Sequence, residues 1–488
     1  MNEKQKTVPI LTAMKRYAED GAVGFHTPGH KQGKGMDAEF FDLVTPLGLK
    51  TEVSLMEELD DLHEPAMCIK EAQDLAAELY NADSSYFVIN GTTGAIHAMI
   101  MAAVNPGDKI IIPRNAHRSV IGGVILSGAE PIFVLPEVDI ELGIAMAVSP
   151  EQIEQAIKEH PDAKAVLVVY PTYYGVASDI EKITSIVHKN KMLLLVDEAH
   201  GPHLKFSNCL PMQAMDAGAD IVAQSTHKIL GAMTQCSMLH ARHHRIDVQK
   251  LKTMISLVQS TSPNYLLLAS LDVARRQMAV EGKALLKRAV DLSIWLRNEI
   301  NKIEGLYCFG EEKLGSQGAY ALDITKLTVT VKGLYMTGAE AEKILRYKYK
   351  IQVELSDLYN ILFILSYADG QREAETLLMA LRKLAEEVNQ NSTSINTLAC
   401  AIYPYKILTK QSPRQALFAV KRKMPFHEST GYICGEVITF YPPGIPLICP
   451  GEVITQELID YCKMMQQSGL KVVGPNDASL TTIQVVAE

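Results

Sequence analysis

The chain has 488 residues, of which 47% are hydrophobic and 21% are charged, and its formal net charge is −9. This composition is typical of a globular protein, and the length is sufficient for roughly two or three domains. The negative charge, together with the lack of a long Lys/Arg block, argues against general nucleic-acid binding.

The N-terminal sequence, the lengths of the apolar runs and the cysteine pattern all bear on the cellular compartment. The N-terminal sequence MNEKQKTVPI lacks the apolar core of a signal peptide, and no run approaches the roughly 20 apolar residues that span a bilayer. The eight cysteines are scattered and form no CxxC pair, so the sequence predicts neither a zinc site nor a disulfide framework. Free thiols are typical of a reducing environment. We therefore expect a cytoplasmic protein that holds no metal and contacts no membrane.

The first predicted unit, residues 1–45, is an N-terminal arm with a short helix over 7–18. It carries the segment FHTPGHKQG (25–33), which its Pro-Gly turn and flanking glycines keep irregular. The histidines His26 and His30 are candidate metal ligands or substrate contacts. Taken alone, the segment is better explained as an ordinary surface loop.

Residues 46–310 are predicted to form a large α/β domain. Helical spacing of apolar residues alternates there with short runs rich in β-branched residues. One helix begins with the capping box of Ser149 and Gln152, with Pro150 at its first position. The other predicted helices cover 67–81, 95–103, 119–127 and 180–190, and the predicted strands cover 86–89, 109–112, 131–135, 165–169, 192–196 and 221–223.

This alternation indicates a mostly parallel sheet that is covered by helices on both faces. In such sheets ligands bind beyond the carboxyl ends of the strands. The polar segments of this domain follow predicted strands, so we expect them to converge on one rim of the sheet. They are residues 90–94, 114–118, 171–175, 197–203 and 225–228.

Two further units are predicted after residue 310. The first is a small α/β domain over 311–390, and the second is a C-terminal domain over 391–488. The polar segment 389–394 has no apolar anchor and is predicted to be the linker between them. In the small domain, strands are predicted over 327–331 and 361–367 and helices over 339–349 and 372–388.

Asp197 and Lys228 are the residues on which a cofactor site is predicted. Asp197 ends the apolar run 192–196, and Lys228 follows the next strand-like run, 221–223. Such a pair suits pyridoxal phosphate, because a carboxylate keeps the pyridine nitrogen protonated and a lysine forms the Schiff base. Taken alone, the two residues are better explained as a solvated Asp and Lys in ordinary loops. A lysine at the end of a buried strand is costly, however, unless it is paired or used covalently.

Two other loops add candidate contacts. Gly91-Thr92-Thr93-Gly94 lies between a strand and a helix N-terminus, where free N–H groups and hydroxyls favour an anion. An ordinary turn with a threonine cap explains that loop equally well. His117 follows the next strand and suits stacking on a cofactor ring or proton transfer, whereas a polar loop with a helix cap at Ser119 is the simpler alternative.

Together, these motifs resemble those of the ornithine/lysine/arginine decarboxylase family, in its small form without a wing domain. The resemblance covers essentially the whole chain and is strongest to the arginine-specific biosynthetic members of Gram-positive bacteria. One departure is Gly431-Tyr432-Ile433, where relatives often have Gly-Arg-Ile, and it weakens any transfer of roles from the C-terminal domain. The motifs that carry the resemblance are His26–Lys31, Asn90–Thr92, Val196–Gly201, Ser225–Lys228, Ser262–Ser270 and Tyr441–Pro446.

The resemblance implies the fold type I architecture of pyridoxal phosphate enzymes and a role for each matching residue. Lys228 is implied as the Schiff-base lysine, Asp197 as the partner of the pyridine nitrogen and His117 as the stacking ring. The implied catalytic set is these three residues and His227. Thr261 or Ser262 is implied to reach the partner's phosphate, because the family is dimeric with its site at the interface. The other implied cofactor contacts are Gly91, Thr92, Thr93, Ala199, His200 and Ser225.

The implied reaction is the decarboxylation of a basic amino acid, most readily L-arginine to agmatine and carbon dioxide in polyamine and spermidine biosynthesis. Lysine and ornithine are alternative substrates, because they share the α-amino acid head and differ in the chain that carries the distal cation. Another fold type I lyase or aminotransferase reaction, or a catalytically silent regulatory protein, are the remaining alternatives. The sequence does not choose a partner for the distal cation among Asp60, Asp61, Glu354 and Asp357.

Overall fold

The computed structural model describes residues 23–25, 31, 34–42, 60–315, 318–391, 408–441 and 445–487. The predicted arm helix, His26, His30 and residues 442–444 lie outside these ranges. The described chain forms a large α/β unit, a small α/β unit and a C-terminal unit. None of the described helices combines the length and the hydropathy that crossing a membrane requires.

The large unit alternates helices and strands, and a short strand of the arm, β1 (Val23–Gly24), precedes it. Its helices are α1 (Cys68–Tyr80), α2 (Gly91–Ala103), α3 (Arg118–Ser127), α4 (Pro150–Glu159), α5 (Ile180–Lys189), α6 (Thr226–Ile229), α7 (Val248–Val258) and α8 (Tyr265–Ile300). Its strands are β2 (Ser84–Val88), β3 (Lys109–Pro113), β4 (Glu130–Val134), β5 (Val138–Asp139), β6 (Ile144–Ala145), β7 (Ala165–Val169), β8 (Val176–Ala177), β9 (Leu193–Asp197), β10 (Ile221–Gln224) and β11 (Ser237–Ala241).

The central sheet of this unit has the strand order β2-β11-β10-β9-β7-β3-β4. The pairs from β10 to β4 are parallel, whereas β11 runs antiparallel to both of its neighbours. Successive residues of the inner strands enter different cores, with Val166 and Val168 in one and Ala165 and Leu167 in the other. Helices therefore cover both faces, and the predicted mostly parallel α/β sheet is confirmed.

Several elements of the large unit are missing from the prediction, among them β11, α7 (Val248–Val258) and α8, and one predicted helix begins at another residue. β11 has no alternating pattern because all five of its residues are buried, and the 36-residue α8 is not predicted either. The helix predicted over 95–103 begins at Gly91 instead, so residues 91–94 form its first turn. The predicted capping box of Ser149 and Gln152 is confirmed.

The small unit contains a sheet with the order β12-β14-β17-β16. Phe25, Leu296 and Ile300 belong to its core, so the arm and the end of α8 pack against it. The predicted linker over 389–394 is wrong in its first part, because the last helix continues to Asn391, and residues 392–394 lie outside the described residues. Its elements are β12 (Tyr307–Cys308), β13 (Ala321–Leu322), β14 (Lys326–Thr330), α9 (Gly338–Tyr347), β15 (Ile351–Gln352), β16 (Leu355–Ser356), β17 (Asn360–Ile364) and α10 (Gln371–Asn391).

The C-terminal unit has its own apolar core, to which Phe426, Ile459 and Ile483 belong. Two antiparallel groupings, β18 with β22 and β20-β19-β21, surround it. Its elements are α11 (Pro413–Phe418), β18 (Lys421–Pro425), β19 (Ile438–Tyr441), β20 (Pro446–Ile448), α12 (Gln456–Gln467), β21 (Lys471–Val473) and β22 (Thr482–Val486).

Candidate active site

A cavity of about 430 Å³ opens at the carboxyl ends of the parallel strands. Each of the five polar segments that were predicted to converge contributes to its lining, so that prediction is confirmed. The small unit adds Glu354 and Leu355. The large-unit lining consists of Asn90, Gly91, Thr92, Thr93, Ile96, His117, Ser119, Val169, Pro171, Tyr173, Asp197, Ala199, His200, Ser225, His227, Lys228, Thr234 and Gln235.

Asp197 is the last residue of β9 and lies between Val169 of β7 and Ala223 of β10. Its side chain is buried, and Oδ1 accepts a hydrogen bond of 3.2 Å from the backbone N–H of Ala199. Burial raises the pKa of Asp197 to about 6, although the nearby Lys228 acts in the opposite direction. A buried carboxylate that is only partly compensated favours a cationic partner at this end of the cavity.

Lys228 lies in the single-turn helix α6, and not directly at a strand end as predicted. Its Nζ is 2.9 Å from Nε2 of His200 and 5.3 Å from the ring centroid of Tyr173. Burial lowers the pKa of Lys228, whereas Glu354 and Asp197 raise it. A lysine with a lowered pKa has a larger fraction of the nucleophilic free amine at neutral pH.

His200 and Tyr173 form the wall against which Lys228 lies. Their rings are 4.6 Å apart and inclined at 57°. Burial and the charge of Lys228 lower the pKa of His200 well below its ordinary value. His200 is therefore a neutral ring at physiological pH and can accept a hydrogen bond from the lysine.

His117 is the N-cap of α3, so the predicted cap at Ser119 is wrong. The backbone N–H of Ser119 donates to Nδ1 of His117 at 3.2 Å, which leaves Nε2 as the protonated ring nitrogen. Burial lowers the pKa of His117 to about 3, and the charge of Lys228 adds to this effect. A neutral imidazole fixed by the backbone suits stacking on an aromatic ring.

The N-terminus of α2 and several hydroxyl groups meet at another part of the lining. Gly91 has a φ of +70°, which glycine adopts without strain, and the Thr92 hydroxyl is 2.7 Å from that of Ser237. Ser225 is buried, and Nδ1 of His227 lies 3.0 Å from the carbonyl oxygen of Cys236. The positive end of a helix next to hydroxyl donors suits a phosphate group.

The contacts of the four acidic residues show which of them could bind the distal cation of the substrate. Glu354 lines the cavity. Asp60 accepts backbone hydrogen bonds at the start of α1, and Asp61 accepts one from the N–H of His63. Asp357 is bonded to the hydroxyl of Tyr174 at 2.7 Å. Glu354 is therefore the candidate that faces the ligand space.

A buried ionic cluster of His203, Asp323 and Lys326 lies behind His200. Lys326 and His203 contact Oδ2 of Asp323 at 2.7 and 3.1 Å, and all three side chains are fully buried. Nζ of Lys326 also lies 3.5 Å from the carbonyl oxygen of His200. The sequence analysis missed Asp323 and Lys326, although a lysine that opens an apolar strand run was an available signal.

A second buried ion pair, Arg114 with Glu452, lies behind His117. The two charged groups are 2.8 Å apart, and their side chains are 3% and 4% exposed. Glu452 belongs to the C-terminal unit, whereas Arg114 follows β3. The polar segment 114–118, which contains Arg114, was predicted to line the rim, but its partner Glu452 was not predicted.

Ser262, which the resemblance implies as a phosphate contact, and Tyr432, which departs from the family pattern, are not among the residues that line the cavity. Ser262 is on an exposed loop with Thr261, and its backbone N–H donates to the hydroxyl of Ser260 at 3.1 Å. Tyr432 packs against the C-terminal core, and the guanidinium of Arg422 lies 4.8 Å from its ring centroid. Within the described residues, no group of three or more acidic, histidine or cysteine side chains is arranged to hold a metal ion.

The residues around the cavity fit pyridoxal phosphate. The helix terminus and hydroxyls match a phosphate, and the buried, partly compensated Asp197 matches a protonated ring nitrogen. His117 offers a neutral ring, and Lys228 is the amine that would hold the aldehyde. These four features use chemically different groups, so their presence around one cavity is more specific than any one of them.

Comparison with known proteins supports this assignment over nearly the whole chain. Residues 8–373 match the model of the Orn/Lys/Arg decarboxylase major domain, and residues 397–476 match that of the C-terminal domain. An arginine decarboxylase of Bacillus subtilis (strain 168) is 45% identical over 99% of each chain. The predicted resemblance to this family and to its Gram-positive arginine-specific members is confirmed.

Solved structures show the same architecture. A lysine decarboxylase of Francisella novicida superposes with a TM-score of 0.79 at 23% identity, covering 94% of this chain and 78% of that one. An alanine–glyoxylate aminotransferase of Nostoc sp. superposes with a TM-score of 0.57 at 18% identity, covering 74% of this chain and 95% of that one. The chain therefore has the fold type I architecture, as predicted.

Proposed function

Since this chain belongs to the Orn/Lys/Arg decarboxylase family, we propose that it is a pyridoxal phosphate-dependent carboxy-lyase that converts L-arginine to agmatine and carbon dioxide. The observation that carries the proposal is the arrangement of Asp197, Lys228 and His117 around one cavity. When bound, pyridoxal phosphate supplies the electron sink that accepts the electrons left by the departing carboxylate.

The residues of the chain then have distinct tasks. Asp197 would keep the ring nitrogen protonated. Burial destabilises the ionised carboxylate of Asp197 and so raises its pKa, and a protonated nitrogen beside it would supply the stabilising positive charge. His117 would contact the bound ring as a neutral imidazole and would add no charge that opposes this proton. Thr92, Thr93 and Ser225 orient the phosphate end.

Lys228 is proposed to hold the cofactor and later to return a proton to the substrate Cα. Its lowered pKa makes the amine available for exchange with the substrate amine. His200, at 2.9 Å from Nζ, contacts the lysine amine as a neutral ring and orients it in this scheme. His227 is assigned to the phosphate side because its Nδ1 lies 3.3 Å from the hydroxyl of Ser225.

Glu354 is proposed to bind the distal cation of the substrate. It lines the cavity, and a carboxylate can bind a guanidinium through two parallel hydrogen bonds. Lysine and ornithine present an ammonium group that cannot form this pair of bonds. The preference for arginine follows from this difference and from the name of the Bacillus relative.

We further propose that the enzyme acts in the cytoplasm, in polyamine and spermidine biosynthesis, as a homodimer with its site at the interface. The exposed loop with Thr261 and Ser262 would then approach the partner's phosphate. We propose the domain division 1–45, 46–310, 311–390 and 391–488. The first strand of the small sheet, Tyr307–Cys308, precedes the boundary at residue 311.

The proposal is tested by carbon dioxide release from arginine, lysine and ornithine, measured side by side with the purified holoenzyme. We expect release from arginine to dominate, and we expect Lys228→Ala to lower it by a factor on the order of 10³. Keto-acid formation without carbon dioxide would instead identify an aminotransferase. Failure to bind pyridoxal phosphate, seen as the lack of a visible absorption band, would identify a silent homologue.

The role of Glu354 is tested with Glu354→Gln and a matched control, Glu386→Gln, at an exposed position of α10 in the same unit. Loss of a charge-assisted bond to the guanidinium is expected to raise KM for arginine by roughly 10- to 100-fold. The control is expected to retain the wild-type KM. Equal KM values for both variants would assign the distal cation to another partner.

A further inference from the structure

His117 lies in a short segment, residues 114–128, that joins β3 to α3 and continues to the end of that helix. We call it the His117 segment. His117 is itself the N-cap of α3, bonded through Nδ1 to the N–H of Ser119. Any shift of α3 therefore moves the imidazole directly.

The beginning of the His117 segment is bound by the C-terminal unit. Nη2 of Arg114 donates to Oε2 of Glu452 at 2.8 Å and to the carbonyl oxygen of Leu447 at 3.0 Å. Nη1 of Arg114 lies 3.2 Å from the sulfur of Cys449, whose backbone N–H donates to the same Glu452 oxygen at 2.8 Å. A planar guanidinium held by several acceptors in this way has little freedom to reorient.

The other end of the segment is bound by the same unit through a different residue. Nη1 of Arg414, on α11, donates to the carbonyl oxygens of Ile125 and Leu126 at 3.1 and 2.9 Å. The last carbonyl groups of a helix have no partner within it, and a cation there also interacts favourably with the helix dipole. Arg414 is largely exposed, so its contribution does not depend on a buried charge.

We propose that the C-terminal unit acts as a clamp that fixes His117 over the cofactor ring, with Arg414 and Glu452 as positioning residues. The proposal rests on the proposed function, since it assigns the ring contact to His117. It gives a task to the C-terminal unit, which contributes none of the described residues that line the cavity. The two anchors lie on opposite sides of His117 along the chain, so together they fix both the position and the tilt of α3.

The test uses Arg414→Ala, which removes one anchor at an exposed position, and a matched control, Arg422→Ala. Arg422 belongs to the same unit but contacts Tyr432 instead of α3. Two quantities are measured: the His117 titration in the apoenzyme by histidine NMR, assigned with His117→Gln, and the dissociation constant of pyridoxal phosphate. A second variant, Glu452→Gln, probes the opposite anchor without changing the side-chain shape.

For Arg414→Ala we expect the His117 pKa to move toward its ordinary value and the cofactor dissociation constant to increase about fivefold. The control is expected to match the wild type, and Arg414→Lys is expected to restore part of the effect. A His117 titration identical in Arg414→Ala, Glu452→Gln and the control would overturn the clamp. A shifted titration with unchanged cofactor affinity would support the clamp and overturn the ring contact of His117, which belongs to the proposed function.

Discussion

Two buried ion pairs flank the cavity: one lies within the small unit, and the other joins the large and C-terminal units. Asp323 and Lys326 of the small unit lie behind His200 and Lys228, with both side chains fully buried. Arg114 and Glu452 join the large and C-terminal units behind His117, with 3% and 4% of their side chains exposed. The pairs have similar separations of 2.7 and 2.8 Å. The pKa of Asp323 is nevertheless lowered, whereas that of Glu452 is raised.

The difference lies in the number of partners of each carboxylate. Burial alone would raise the pKa of Asp323, but Lys326 and His203 outweigh it and lower this pKa, while Thr325 adds two further hydrogen bonds. Burial raises the pKa of Glu452, and Arg114 offsets this only in part. Oε1 of Glu452 has no hydrogen-bond partner among the described residues. A buried ion pair therefore offsets its desolvation cost only when the other polar atoms of both side chains are also hydrogen-bonded.

The largest effect is expected for Arg114→Met, which leaves Glu452 buried without its cation. We expect a loss of about 3–5 kcal/mol in the free energy of unfolding at pH 8, measured by urea denaturation with circular dichroism. The loss should be smaller at pH 5. The folded-state pKa of Glu452 then lies further above its unfolded value, so the folded state binds the proton more tightly and loses stability as the pH rises.

The double variant Arg114→Met/Glu452→Gln is the control for this prediction. It removes both charges, so it should recover part of the stability lost by the single variant. A double variant that is no more stable than Arg114→Met would show that the packing of the arginine, and not its charge, dominates.

A smaller effect is expected for Lys326→Met, because Asp323 keeps its bonds to Thr325 and His203. We expect a loss of about 1–3 kcal/mol at pH 8 by the same measurement. Without Lys326, which lowers the pKa of His203, this histidine can take up the missing positive charge. The loss should therefore shrink as the pH falls toward 6, since stability from a raised histidine pKa is present at low pH. A larger loss than that of Arg114→Met would contradict the comparison.

Glu198 is a third buried carboxylate, and within the described residues it forms no ion pair with lysine or arginine. It therefore shows the effect of burial without a neighbouring cation. Burial raises its pKa to about 8, against the hydrogen bonds from Gln224 and Ala214. The folded state thus binds more protons than the unfolded state between about pH 4.5 and 8, and stability falls with rising pH by at most about 1.4 kcal/mol per unit. Glu198→Gln, which resembles the protonated acid, should lack this slope. Parallel pH profiles of the apoenzyme Tm for wild type and variant would refute the prediction.

The smallest effect is expected for an exposed ion pair of similar length. Lys182 and Glu151 are 2.5 Å apart, but their side chains are 53% and 56% exposed. Water and salt screen such a pair, so Lys182→Met should leave the Tm unchanged within measurement error. A measurable drop in Tm would mean that separation matters more than burial.

The sequence analysis predicted the rim of the sheet because strand-end positions are local properties. Apolar runs locate β3, β7 and β9, and parallel strands bring the residues after them to one edge. Asp197 and His117 are therefore expected at the same edge from the sequence alone. This reasoning did not find β11, whose fully buried sequence has no period, or the N-cap role of His117, which depends on one side-chain rotation.

Ion pairs between residues that are far apart in the sequence cannot be predicted from strand-end positions. Arg114 and Glu452 are 338 positions apart, and nothing in either segment specifies the other. Asp323 and Lys326 are close in sequence, but the cluster is completed by His203 from another unit. Charges in isolation are normally solvated, so only the packing of the units reveals which ones are buried.

The long helix α8 connects the large and small units and restricts how they can move when substrate enters. Its 36 residues extend over about 54 Å, and Leu286 packs in the core of the large unit while Leu296 packs in that of the small unit. Rotation of one unit against the other would have to bend this continuous helix. We therefore expect ligand exchange to proceed by local movements of side chains such as Tyr173 and Glu354, with the two units turning as a single rigid body.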